Sequence, residues 1–99
     1  MYSNFAQALD VYEKGYRLSL VSGNSGMQFK FLNNMIGAGC NIGNAAYAER
    51  LNEKVKELKG VPRGQLLFYY CFNKGFIAGI RDEMDEKTRW MNEAVAVVD

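Results

Sequence analysis

Lys56-Glu57-Leu58-Lys59-Gly60-Val61-Pro62 separates two long stretches of helical periodicity, and its reading decides the fold. Lys56 and Lys59 suit the negative end of a helix dipole, Gly60 suits the left-handed residue that closes a helix, and Pro62 cannot continue one. The chain is therefore expected to stop and turn back here. Upstream, residues 27–59 change from a Gly/Asn-rich half to a charged amphipathic half with Tyr47, Leu51, Val55 and Leu58 inside. Downstream, residues 63–98 are apolar nearly all round to Ile80 and charged beyond it. A helix apolar on every side needs cover on every side, which a chain this short obtains from partner subunits. Further upstream, Ser22-Gly23-Asn24-Ser25-Gly26 ends a first helix within 1–22, where Phe5, Leu9, Tyr12, Tyr16 and Leu20 recur at helical spacing. No alternating strand pattern is present. The expected fold is all-α: one domain, 1–99, with a short N-terminal helix (1–22) followed by a long antiparallel helical hairpin (27–59 and 63–98), assembled as a homo-oligomer.

The composition excludes several functions. Ninety-nine residues with 48% hydrophobic and 23% charged residues make one globular unit. Twelve Lys+Arg against eleven Asp+Glu leave a net charge of +1, so no overall field draws the protein to a DNA or RNA duplex. Cys40 and Cys71 lack metal-type spacing and there is no histidine, so two buried thiols in a reducing cytoplasm are expected, with no metal and no cofactor. Met1-Tyr2-Ser3-Asn4 has neither the basic start nor the apolar core of a signal peptide. The longest apolar run, 66–80, is interrupted by Asn73 and Lys74 and is too short to span a bilayer, so no membrane partner is expected.

Gly37-Ala38-Gly39-Cys40-Asn41-Ile42-Gly43 has a GxGxxxG spacing, but a dinucleotide fingerprint needs a preceding strand and a βαβ unit. Close approach of helices at small residues is the better reading for Gly39 and Gly43, and Gly75 and Gly79 repeat the spacing downstream, so the two glycine faces are expected to pack together. Each glycine costs up to about 1 kcal/mol inside a helix, which argues for a geometric need. There is no histidine, no nucleophile elbow and no carboxylate pair apart from ordinary helix surface, so no reaction is assigned. Asp82-Glu83-Met84-Asp85-Glu86 reads as solvated surface. Tyr12, Tyr16, Tyr47, Tyr69, Tyr70 and Trp90 are candidates for core, interface or base stacking. Arg17, Lys30, Arg63 and Arg81 are dispersed cations able to clamp a phosphate, with solvated surface as the alternative.

Three pieces of the chain, spread over residues 15–81, together resemble a known family. Gly15-Tyr16-Arg17, then Phe31-Leu32-Asn33 with Gly39 and Gly43, then Arg63 with Phe72-Asn73-Lys74-Gly75-Phe76-Ile77-Ala78-Gly79-Ile80-Arg81, are similar to motifs of the helical-hairpin phage proteins that sequester cyclic-oligonucleotide immune signals, the anti-CBASS sponges, which are related to the hairpin of anti-Thoeris sponges. Ile36 stands where that family carries a lysine, and Lys30 is the cation available to replace it.

The resemblance implies a non-catalytic immune-evasion protein in the cytoplasm of an infected bacterium. It implies a homo-oligomer, typically a hexamer, that holds cyclic di- or trinucleotides between subunits. Carried over, Tyr16 stacks on or packs beside a base, Asn33 lines the pocket and Arg81 reaches phosphate or base; Arg17 and Lys30 join them as ligand-binding candidates, and the glycines and Arg63 are architectural. The competing expectation is a helical protein-binding inhibitor of a host defence protein, using apolar helix faces and no nucleotide.

Overall fold

Two Gly-Asn dipeptides each end one helix and begin the next. The computed structural model describes residues 4–98, with side chains from Ala6 onward; residues 1–3 and 99, and the Phe5 side chain expected on the first apolar face, lie outside the described residues. Helix is the regular structure throughout them: α1 (Asn4–Ser22), α2 (Ser25–Asn41), α3 (Ala45–Lys56), α4 (Arg63–Ile80) and α5 (Met84–Val98). After α1, Gly23 takes φ +68° and the Asn24 N–H donates back to the Ser19 carbonyl at 3.1 Å. Asn24 then caps α2 by accepting from the Met27 N–H at 3.0 Å. Gly43 (φ +79°) and Asn44 do the same between α2 and α3: Asn44 N–H donates to Gly39 O at 2.8 Å, and Asn44 Oδ1 accepts from Tyr47 N–H at 3.1 Å. A left-handed residue after the helix lets the last carbonyls find donors, and the asparagine serves both helices.

Each of the two long helices expected over 27–59 and 63–98 is therefore a pair. The first breaks at 42–44 for the reason just given. The second breaks at 81–83, where Asp82 adopts φ +61° and Glu83 N–H closes the same turn on Ala78 O at 2.9 Å. The chain turns between α3 and α4 as its signals indicate, with Gly60 at φ +83° and Pro62 at the entry of α4. However, α3 ends at Lys56 with Glu57 as its C-cap, so Lys59 and Gly60 stand in the connection and do not close the helix.

Consecutive helices pack on one another, and α2 also touches α4. The backbone forms a slab measuring 38 × 37 × 17 Å. The main core joins Phe29, Leu32, Met35, Ile36 and Cys40 of α2 with Ala48, Leu51 and Val55 of α3 and Ile77 of α4. Leu9, Tyr12 and Tyr16 of α1 pack against it as their periodicity indicates, whereas Leu20 is 49% exposed and leaves that face. Leu32, Ile36, Val55, Leu66 and Ile77 are almost completely covered, each worth about 1.5–3 kcal/mol of transfer free energy. A smaller cluster of Tyr70, Cys71 and Ala94, flanked by Phe68 and Trp90, attaches α5 to α4.

The glycine faces do not meet each other. A Cβ on Gly39 would stand 2.8 Å from the Tyr47 ring of α3, and one on Gly75 would stand 2.8 Å from Met91 of α5, so each admits a different neighbour. Gly79 lies against the Lys87 side chain. Gly43 is not a close-packing residue: nothing approaches its missing Cβ, and its need is the positive φ.

Two of the left-handed positions, Gly43 and Asp82, predict opposite responses. Gly43→Ala forces an L side chain into that region and should cost about 1 kcal/mol, whereas Asp82→Gly relieves the same strain and should add up to about 1 kcal/mol. Thermal unfolding followed by circular dichroism should show shifts of roughly 4–8 °C per kcal/mol in opposite directions; shifts of the same sign would contradict this account of the turns.

Candidate functional site

Lys30 and Asn33 lie one turn apart on α2, and Gln65 and Tyr69 lie one turn apart on α4. Where these two faces meet they line a groove of about 310 Å³, with Asn34 at its side and Phe29 beneath. Phe29 is buried and meets the Tyr69 ring edge-on at 5.3 Å between centroids. Tyr69 also meets the Phe68 ring at 5.4 Å, nearly perpendicular to it, and remains 36% exposed. Lys30 is exposed and makes no ion pair among the described residues. The groove therefore offers a cation unpaired among the described residues, three carboxamides and a partly exposed aromatic ring in one place.

Beneath the groove runs a chain of asparagines from three helices. Asn52 of α3, with no exposed surface, donates through Nδ2 to the Tyr70 carbonyl at 3.1 Å. Asn73 of α4, 5% exposed, donates through Nδ2 to Asn52 Oδ1 at 3.0 Å and to Asn33 Oδ1 at 2.8 Å. Among the described residues no buried side-chain nitrogen or oxygen lacks a partner. Removing one member would strand a buried polar group, at about 1–3 kcal/mol.

Arg81 lies elsewhere. It lines a second cleft of about 210 Å³ with Lys74, Trp90 and the carboxylates of Glu49, Glu83 and Glu86. Its guanidinium donates to Glu49 Oε2 at 2.8 Å, and that bond holds the Glu49 carboxyl below its ordinary pKa. Lys74 stands 5.8 Å from the Tyr70 ring centre and 5.7 Å from that of Trp90, and pairs with Glu53 at 3.9 Å. Tyr70 donates its hydroxyl to the same Glu53 at 3.1 Å, and burial together with this carboxylate pushes its pKa up to about 12. The cations here already face acids, so this cleft is a weaker anion site than the first groove.

Of the expected ligand residues, the structure brings Lys30 and Asn33 together and leaves Tyr16, Arg17 and Arg81 outside their groove. Tyr16 is half-buried against the main core, where desolvation raises its pKa, and Arg17 is exposed on α1. Ile36 has no exposed surface, so it lines neither groove. Sequence reasoning missed Asn34 and Gln65 and left Tyr69 undecided. The Gln65/Tyr69 spacing at i, i+4 was the available signal, but which face of the apolar helix stays open depends on where α5 packs.

Glu49 supplies a test of the second cleft. Its depressed pKa stabilises the fold above the ordinary carboxylate range, and that contribution disappears as pH falls through the folded value. Arg81→Ala should return the Glu49 titration, read by carbon NMR, upward to its ordinary position and remove that share of the acid dependence of stability; an unchanged titration would refute the pairing. Compared with protein families, with curated proteins and with solved structures, the chain matches none.

Proposed function

We propose that this protein binds a cyclic oligonucleotide messenger and sequesters it uncleaved, with the groove between α2 and α4 as the part of the site supplied by one chain. The carrying observation is what lines that groove: Lys30, Asn33, Asn34, Gln65 and the partly exposed Tyr69, with no carboxylate among them. A phosphodiester is served by a cation and N–H donors, a base edge by carboxamides that both donate and accept, and a base face by an aromatic ring. The family resemblance carried by Gly15-Tyr16-Arg17, Phe31-Leu32-Asn33 and the run from Phe72 to Arg81 points to the same ligand class. In this reading the messenger is removed by mass action: tight binding lowers its free concentration below what a host effector requires, and no reaction is needed.

The reading also includes a homo-oligomer, with a hexamer as its specific form, acting in the cytoplasm of an infected bacterium. Its support is a stripe on α4: Tyr69, Phe72, Phe76 and Ile80 are each 36–40% exposed, and the Phe72 ring lies 6.0 Å from Phe68 and 6.2 Å from Phe76. A continuous aromatic surface on so thin a molecule is an interface in waiting. Tyr16, Arg17 and Arg81, which do not line the groove, belong in this reading to pockets completed between copies. The same stripe favours a second reading, docking on a host defence protein with no nucleotide involved.

A thermal-shift screen against cyclic di- and trinucleotides and a cyclic ADP-ribose isomer, with the ligand recovered after denaturation, separates the two. A ligand at about 100 times its Kd adds about 2.7 kcal/mol, a rise on the order of 10 °C for a domain this size. Such a rise, abolished by Lys30→Ala and accompanied by intact ligand, is the expected result. No rise with any of them would overturn sequestration and leave the docking reading.

A further inference from the structure

The buried asparagine chain has a direction, and it ends in the groove. The Tyr70 carbonyl can only accept a hydrogen bond, so Asn52, which faces it, must present its Nδ2 there and its Oδ1 toward Asn73. Asn73 must then offer Nδ2 to Asn52. That same nitrogen has a second hydrogen, which goes to Asn33 Oδ1 at 2.8 Å. Each orientation forces the next. Asn33 is therefore turned with its oxygen toward Asn73, and both hydrogens of its Nδ2 are without a partner among the described residues, on a side chain that lines the groove. Asn34 and Gln65 make no side-chain hydrogen bond among the described residues and can rotate to suit either a donor or an acceptor. Asn33 has no such freedom, and its groove neighbour Lys30 is likewise a donor without acceptor capacity.

We infer that Asn73 is a positioning residue that locks the Asn33 carboxamide as a donor, so that Lys30 and Asn33 form a subsite for the anionic phosphodiester of the ligand while the base is left to Tyr69, Asn34 and Gln65. This rests on the groove being the ligand site, and it adds to that reading a division of labour within the groove. A free carboxamide binds donors and acceptors alike; a locked one discriminates, because a ligand donor placed against Asn33 leaves two N–H groups facing it.

The test is nitrogen-15 NMR on the full chain, with cyclic di-AMP as the phosphate-bearing probe and adenosine as the phosphate-free control. Asn33→Leu assigns the Asn33 side-chain N–H₂ pair by its disappearance. Cyclic di-AMP should move that pair and adenosine should not. Asn73→Leu, which keeps the shape but frees Asn33 to rotate, should weaken cyclic di-AMP binding at least five-fold and leave adenosine binding within two-fold. A merely structural role for Asn73 would weaken both probes together, and that result overturns the inference. So does a wild-type titration in which Tyr69 and Lys30 signals respond to cyclic di-AMP while the Asn33 pair stays still, with the groove surviving as a ligand site. Silence of every groove signal with both probes overturns the groove and the inference together.

Discussion

Asn52 has no exposed surface, and its carboxamide nitrogen and oxygen must each find a partner within the protein. It does so with the Tyr70 carbonyl and with Asn73, which binds α3 to α4, and Asn73 extends the contact to Asn33 and so to α2. Apolar packing of Leu32, Ile36, Val55 and Ile77 pulls the same three helices together, and the hydrogen bonds add a demand of distance and angle that non-directional burial does not make. The asparagine chain is compatible with only one rotation of each helix about its own axis, the one the packed core also adopts. The groove inherits that precision, since Lys30 and Asn33 on α2 meet Gln65 and Tyr69 on α4 only in this setting.

The outer helices are attached differently. α1 packs on α2 and is further tied by the Tyr47 hydroxyl, which donates to Glu13 at 3.0 Å; Gly15 permits the Phe31 ring to lie against α1, where any side chain would collide at 2.5 Å. α5 is held by Trp90 against Tyr70, ring centres 6.2 Å apart, and by Met91 in the space Gly75 leaves. Both ends thus lie beside the three-helix centre without covering the α4 stripe, which is why Phe72, Phe76 and Ile80 stay open.

Much of this was legible in the residues. The helical class, the turn at Gly60-Val61-Pro62, the first turn at Gly23-Asn24, and the inward faces of α1 and α3 follow from periodicity and cap chemistry. The break at Gly43-Asn44 carries the same signal as the first turn, but the GxGxxxG spacing around Gly43 points to packing instead, and its positive φ and the empty space beside its Cα decide for the turn. Asp82 gave a weaker signal still, since aspartate seldom takes a positive φ and the surrounding charge run looks like ordinary helix surface. Of the expected ligand residues, Lys30 and Asn33 share a groove because a one-turn spacing on one helix survives any tertiary arrangement. Tyr16 and Arg81 stand on separate helices, and their distance from Asn33 depends on packing that spacing cannot convey.

Glycine and asparagine are poor helix residues, and this chain places them where their weakness is useful. Gly39 and Gly75 give up helix propensity for contact with Tyr47 and Met91, and Gly23 and Gly43 turn the chain. Asn24 and Asn44 cap, while Asn52 and Asn73 crosslink. A core of larger apolar residues at positions 52 and 73 would bury more surface and remove the cost of dehydrating two carboxamides. It would also leave Asn33 free to rotate. The sequence carries that dehydration cost at the one place where the buried chain surfaces in a groove beside a free cation, which argues that the orientation of Asn33 matters more to this protein than the last increment of stability.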